Sequence, residues 1–188
     1  RHDTEFTSVD VELSWIDTHD DVMAFEEKWL QHVLSHLADR FGDRVNDVFC
    51  VSITVPTLPF PRIPMAEALH AVETAGHTNE RRGDLDPAGE RTLCEIIEKE
   101  FAHEFVFVTD YPFSVRPFYH MREADGERLT RSFDLLWKGL EVTTGAQREH
   151  RVDILEEQAL EKGLSLDHID FYLDFFRYGC PPHGGFGF

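Results

Sequence analysis

Arg131-Ser132-Phe133-Asp134-Leu135-Leu136-Trp137-Lys138-Gly139-Leu140-Glu141-Val142-Thr143-Thr144-Gly145-Ala146-Gln147-Arg148-Glu149-His150 decides the fold of this 188-residue chain. Its apolar and β-branched residues come in two runs, which predict strands over 131–137 and 140–144. Working outward, the continuously apolar run from Phe105 to Val108 predicts a third strand, and Arg116 to Met121 a fourth. Four strands in about forty residues imply a meander, hence a largely antiparallel sheet. Downstream, helical spacing predicts helices over 150–162 and 167–178, followed by the Gly- and Pro-rich run Gly179-Cys180-Pro181-Pro182-His183-Gly184-Gly185, read as a tail.

Upstream of the meander, Val9, Val11, Leu13 and Trp15 alternate with polar residues, the period of a strand with one wet face. Thr18 with Asp21 three residues later resembles a capping box. Val22, Phe25, Trp29, Val33, Leu37 and Phe41 then recur at helical spacing up to Gly42, so a helix is expected over 19–41. Residues 47–54 are β-branched and aromatic enough to predict a strand, and 55–61 are too proline-rich for anything but an extended connector. A helix is expected after Pro64 through Leu69 and Val72, and another after the Asp86-Pro87 cap. Strands in a meander with helices grouped around them make the chain α+β, a single domain of 1–188 that looks cut at both ends.

Composition narrows the function. Asp and Glu outnumber Lys and Arg by 36 to 18, and the formal net charge of −18 repels phosphate backbones at long range. Cys50, Cys94 and Cys180 are odd in number and far apart, which indicates neither a disulfide framework nor a metal knuckle. No apolar run reaches the roughly 18 residues of a membrane span, and no leader pattern is present, so a cytoplasmic protein is expected. The sequences of a P-loop, a zincin and a Gly-x-Ser-x-Gly hydrolase are all missing. Of the histidines, His19, His32, His36, His70 and His77 fall on predicted helix surfaces or loops without a partner set, and about four in five of them are expected to face solvent.

Glu141 to His150 is different, because an acid, hydroxyls, a Gly break and an Arg gather at a strand end, a poor recipe for packing. A carboxylate and a hydroxyl are what Mg²⁺ takes as oxygen ligands when phosphates supply the rest, and an Arg offers a planar fork for a carboxylate. The plainer alternative is a strand end carrying a surface ion pair between Arg148 and an acid. Strict alternation would send Glu141 and Thr144 to opposite faces, so a bulge or strand end is predicted between Thr143 and Gly145. Glu141 and Arg148 are expected to face one cavity.

A resemblance now adds to these readings. Arg1 to Glu12 is similar to the second half of the motif 2 region of aspartyl- and asparaginyl-tRNA synthetases. Leu58-Pro59-Phe60-Pro61-Arg62, Thr109-Asp110-Tyr111-Pro112, Arg116-Pro117-Phe118-Tyr119, Phe133-Asp134-Leu135, Glu141 to His150 and Phe176 to Gly187 follow in the same order over nearly the whole chain. The chain thus resembles part of the catalytic domain of a class II aspartyl-tRNA synthetase of the archaeal type. Two departures stand out: Arg116, where that pattern has Lys, keeps the charge but is not equivalent to Lys at a crowded site, and Thr143-Thr144-Gly145-Ala146, where it has Ser-Ser-Gly-Gly, keeps the hydroxyls.

The resemblance implies an antiparallel sheet flanked by helices that activates L-aspartate with ATP and passes it to tRNA, as a homodimer. It places Arg1, His2 and Asp3 on a loop that meets ATP, Glu141 on ATP through Mg²⁺, Thr144 on both the metal and the amino acid, and Arg148 on the aspartate side chain. Plainer roles stand beside these: His2 as a loop cap, Asp134 as the partner of Arg116 or Arg148, and Asp110, Tyr111 and Tyr119 as packing and turn residues. Motif 1, the motif 2 Arg and the motif 3 Arg of that family fall outside the 188 residues, so the isolated chain is expected to be inactive. Two rivals remain: a paralogue that makes asparagine from aspartate through the same adenylate, and a non-catalytic synthetase-like module. Asparagine as the substrate fits the Glu141 to His150 wording less well.

Overall fold

The computed structural model describes residues 5–124, 126 and 128–188. The alternating segment forms strand β1, Asp10–Ser14. Thr18 then caps helix α1, His19–Phe49: its hydroxyl accepts from the Asp20 amide, and the Asp21 carboxylate accepts from Thr18 in return. The helix buries Val22, Met23, Leu30 and Leu34 along one stripe. It runs through Gly42 and absorbs residues 47–49 of the segment predicted as a strand over 47–54, the rest being irregular. The correction has a simple cause. Val48, Phe49 and Val51 are 63, 70 and 54% exposed, so no sheet rewards a strand there, whereas each further helical turn closes its own hydrogen bonds up to Cys50 N–H to Asn46 C=O.

After the extended prolines come the short strand β2, Arg62–Pro64, and helix α2, Met65–Thr74. Asp86 caps helix α3, Pro87–Phe101, accepting from the Ala88 and Gly89 amides as the Asp-Pro pair predicts. Strands β3, Phe105–Thr109, and β4, Ser132–Trp137, follow, and β5, Leu140–Arg148, returns from β4 through Lys138-Gly139. Both turn residues have positive φ, at 50° and 80°, which matches the twist of a tight hairpin. Helices α4, Val152–Glu161, and α5, Leu166–Arg177, lie within two residues of expectation at each end. The supposed tail contains a last strand, β6, His183–Gly187.

The six strands form one sheet in the order β1-β6-β5-β4-β3-β2, antiparallel except for β2 against β3. Residues 116–121 are not a strand, contrary to expectation. Pro117 has no amide to donate, His120 N–H folds back to Pro117 C=O, and contact with the sheet shrinks to single bridges such as His120 with Arg148. The sheet has two cores. Phe107, Phe133, Leu135 and Phe186 pack under α1, while Val106, Val108 and Leu136 pack under α2 and α3. Fully burying a side chain such as Phe133 contributes about 2 kcal/mol.

Glycine makes β6 possible. A Cβ on Gly185 would lie 2.0 Å from the Val11 carbonyl oxygen and 2.5 Å from Glu12 Cδ, so β1 could not close on it. Gly185→Ala is therefore expected to cost about 1 to 3 kcal/mol, read as a lower urea midpoint at unchanged slope. A midpoint within error of the parent would contradict this packing.

Behind β5 sits a polar contact the sequence did not reveal. Glu26 of α1 has no exposed surface, accepts a 2.5 Å hydrogen bond from the Thr143 hydroxyl, and leaves Oε2 without a partner. Burial, with Asp134 and Glu27 adding repulsion against the favourable Thr143 bond, pushes its carboxyl up to about 8.

Candidate adenylation site

The face of the sheet opposite α1 carries the chemistry, and a bulge in β5 arranges it. Leu135 pairs with Thr143, but the next residue, Leu136, pairs with Glu141, so Val142 is the extra residue. The irregularity lies nearer Glu141 than the position predicted between Thr143 and Gly145. Its effect is the one required: Glu141 and Thr144 share a face, and the Thr144 hydroxyl donates to Glu141 Oε1 at 2.9 Å. Glu141 reaches solvent, yet its carboxyl is raised, by the bulk around it and then by Asp134.

Among the described residues, no group of three or more His, Cys, Asp or Glu side chains could hold a metal ion. A cation at Glu141 and Thr144 would find a carboxylate and a hydroxyl there. That suits Mg²⁺, which keeps waters and binds through one or two carboxylates plus substrate phosphates.

At the far end of β5, Arg148 is held on three sides. Its Nε and Nη2 donate to Glu12 Oε1 at 3.2 and 2.7 Å, its Nη1 lies 3.3 Å from His120 Nε2, and its guanidinium carbon lies 5.6 Å from the Tyr119 ring centre. Glu12 comes from β1, with β6 between, and crosses over Gly185 to reach it. Arg148, Glu12, Tyr119, Tyr172, Phe176 and His183 line a pocket of about 370 Å³. Burial above all raises the Tyr172 hydroxyl to about 12, so it stays a neutral donor in this wall.

The cavity expected to take both Glu141 and Arg148 is not this pocket, whose lining among the described residues lacks Glu141. Seven positions along a strand put their backbones on the order of 20 Å apart, so both ends are reached only by a ligand lying along β5. Their common face is preserved, because Thr144 opposes Asp134 in β4 and Arg148 follows Thr144 by an even number of residues.

Between the two ends lies a second arginine. Arg116 Nη2 binds Asp134 Oδ2 at 2.6 Å, both side chains being at least nine-tenths buried, and its guanidinium stacks 3.5 Å from the Tyr111 ring centre. Burial opposes the charge on Arg116, but Asp134 more than offsets it and the guanidinium stays ionised. Of the two partners considered for Asp134, the structure selects Arg116. Arg1, His2 and Asp3 lie outside the described residues. His32, His36 and His70 are exposed as expected, while His19 and His77 are half-buried, His77 being 2.9 Å from the Asp86 cap.

Sequence reasoning did not single out Glu12, His120, Tyr172, Phe176 or His183 as site residues. The Gly184-Gly185 pair was the available signal, since adjacent glycines in a strand mark a close approach by another group.

The family of tRNA synthetases class II (D, K and N) matches residues 1–188. The aspartate–tRNA(Asp/Asn) ligase of Aeropyrum pernix is 41% identical over 189 residues, covering 100% of this chain and 42% of that protein. The aspartate–tRNA(Asp) ligase of Thermococcus kodakarensis is 37% identical over 187 residues, with the same coverage. The aspartyl-tRNA synthetase structure from Entamoeba histolytica superposes with a TM-score of 0.91 at 28% identity, over 100% of this chain and 39% of that one. The chain thus spans about two fifths of the length of these relatives. Among the described residues no helix is long and apolar enough to cross a membrane. With sheet order, bulged strand and paired arginines in place and the match running from end to end, the chain belongs to the class II tRNA synthetases of the D, K and N group.

Proposed function

We propose that the protein containing this chain is an aspartate–tRNA ligase, which joins L-aspartate to ATP as aspartyl-adenylate and transfers the aspartyl group to tRNA(Asp), acting as a homodimer in the cytoplasm. The observation that carries this reading is Arg148, an ionised fork at the wall of a small pocket, on the same strand face as the Glu141–Thr144 oxygen pair. A fixed guanidinium prefers a carboxylate to the neutral amide of asparagine, and a hydrogen bond to a charged group is worth about 1.5 to 3 kcal/mol.

In the first step an oxygen of the aspartate α-carboxylate attacks the α-phosphorus of ATP. A new O–P bond forms, the bond to the β-phosphate bridging oxygen breaks, and its electron pair leaves with pyrophosphate. In the second, a ribose hydroxyl at the tRNA 3′ end attacks the acyl carbon and AMP departs. No protein nucleophile is required; the residues position the substrates and balance their charge. Arg148 grips the side-chain carboxylate, with Glu12 and His120 fixing its plane. Glu141 and Thr144 would hold Mg²⁺ at the nucleotide end, where the ion would supply neutralisation of phosphate charge. Arg1, His2 and Asp3 are assigned to ATP on the resemblance alone.

The reading is tested by ATP–pyrophosphate exchange on the full-length protein, comparing aspartate with asparagine, with and without tRNA. Exchange that depends on aspartate, followed by aspartyl-tRNA formation, is expected. Exchange with asparagine alone, or with neither amino acid, would overturn the proposal. Free asparagine made from aspartate and ammonia would instead identify the amide-forming paralogue.

A further inference from the structure

We propose that His120 is the positioning residue for Arg148, a neutral acceptor that fixes the guanidinium plane at the pocket wall and so sets the preference for a carboxylate ligand; this rests on the aspartate reading of that pocket.

The geometry leaves little freedom. His120 is 1% exposed, and its backbone forms an isolated bridge with Arg148, so ring and guanidinium lie side by side. Loop and strand are tied on both sides of that bridge, by Met121 N–H to Gln147 C=O at 3.0 Å and Glu149 N–H to Tyr119 C=O at 2.9 Å. The Tyr119 ring stands edge-on to the imidazole at 5.1 Å, and Gln158 donates to the His120 carbonyl at 3.2 Å. A guanidinium has no acceptor atom. The 3.3 Å contact of Nη1 with Nε2 therefore requires Nε2 to present its lone pair, and the ring proton to sit on Nδ1, an atom buried without a partner. Burial first, then the Arg148 and Arg116 charges, push the imidazole down to about 2, consistent with a neutral ring.

Neutrality is what separates His120 from Glu12. Both Glu12 contacts with Arg148 go to one oxygen, Oε1, which leaves the guanidinium free to pivot about that atom. A second carboxylate in place of His120 would stop the pivot but also cancel the charge that the ligand must meet. The imidazole stops it and leaves the charge intact. A carboxylate requires a guanidinium in one plane for two parallel hydrogen bonds, whereas a carboxamide offers one acceptor and is less sensitive to that plane.

The test uses the full-length protein with His120→Phe, which keeps a ring and removes the acceptor, His120→Leu, and His120→Gln, whose amide oxygen restores an acceptor. Thermal midpoints identify folded variants. The Phe variant, or the Leu variant should Phe not fold, is expected to raise the aspartate KM about tenfold in pyrophosphate exchange and to narrow the aspartate-over-asparagine ratio, with the ATP KM within about twofold. The Gln variant is expected to recover most of the loss. An unchanged aspartate KM, or equal losses for ATP and aspartate, would overturn the proposal. Crystal structures of the parent and the Phe or Leu variant read the positioning directly, whatever the substrate proves to be. A guanidinium that keeps its plane and its place without the imidazole refutes the role; one that swings about Glu12 supports it. Absence of aspartate-dependent exchange in the parent would refute the functional reading, and the crystal comparison would still decide the role of His120.

Discussion

Replacing Arg148 with methionine in the full-length protein is expected to lower kcat/KM for aspartate in pyrophosphate exchange about a hundredfold to a thousandfold, and to leave the KM for ATP nearly unchanged. Methionine keeps much of the volume and removes every donor. The aspartate carboxylate would then enter a pocket whose remaining charge nearby is Glu12, of the same sign. Removing one partner of a buried charge pair costs about 2 to 5 kcal/mol because the other is left unpaired, and here the loss falls on the aspartate end alone. Arg148→Lys keeps the charge but loses the fork, so an intermediate loss is expected. A fall of less than about tenfold for the methionine variant would mean that Arg148 does not clamp the substrate.

The second large effect concerns stability. Glu26 has its carboxyl raised from 4.5 to about 8 by burial. The folded state therefore holds a proton that the unfolded state releases, and stability must fall as pH rises. The contribution is fully present below 4.5, is lost progressively up to about 8, and stays lost above that. At about 1.4 kcal/mol per pKa unit the full swing is on the order of 5 kcal/mol. Glu26→Gln is neutral at every pH and keeps an oxygen for the Thr143 hydroxyl. Urea unfolding should find the variant close to the parent near about pH 5 and several kcal/mol more stable near about pH 9. Parallel pH profiles for the two proteins would rule this out.

Much of the fold was legible in the sequence, because periodicity reports burial. Val22 on α1, the apolar run of β3 and the Asp86 cap of α3 each carry a local signal that the tertiary structure keeps, whereas Phe25, Leu37 and Phe41 of the stripe read on α1 are exposed and Leu30 and Leu34 are buried instead. Errors came where the deciding contact is remote. Val48 and Phe49 have strand composition but no sheet to join, and β6 has almost no side chains whose alternation could be read. Residues 116–121 carry Arg116, Tyr119 and His120 to the site in place of a strand ladder. At the site, residue types marked Glu141, Thr144 and Arg148, and the resemblance gave them roles. Glu12 stayed hidden because it meets Arg148 from 136 positions away, and His120 from 28. Spacing along one chain cannot report which distant residues a fold will bring together.

The place of β6 between β1 and β5 also orders events on the ribosome. Among the described residues β1 pairs only with β6, so that pairing waits until residues 183–187 have emerged, while the hairpins of β3, β4 and β5 can assemble before it. Until then β1 lacks the strand that lies between Glu12 and Arg148 in the finished sheet. The Arg148 pocket is thus among the last parts of this chain to mature, and a nascent polypeptide stalled before His183 should be more vulnerable to proteases along residues 10–14 than one extended past Gly187.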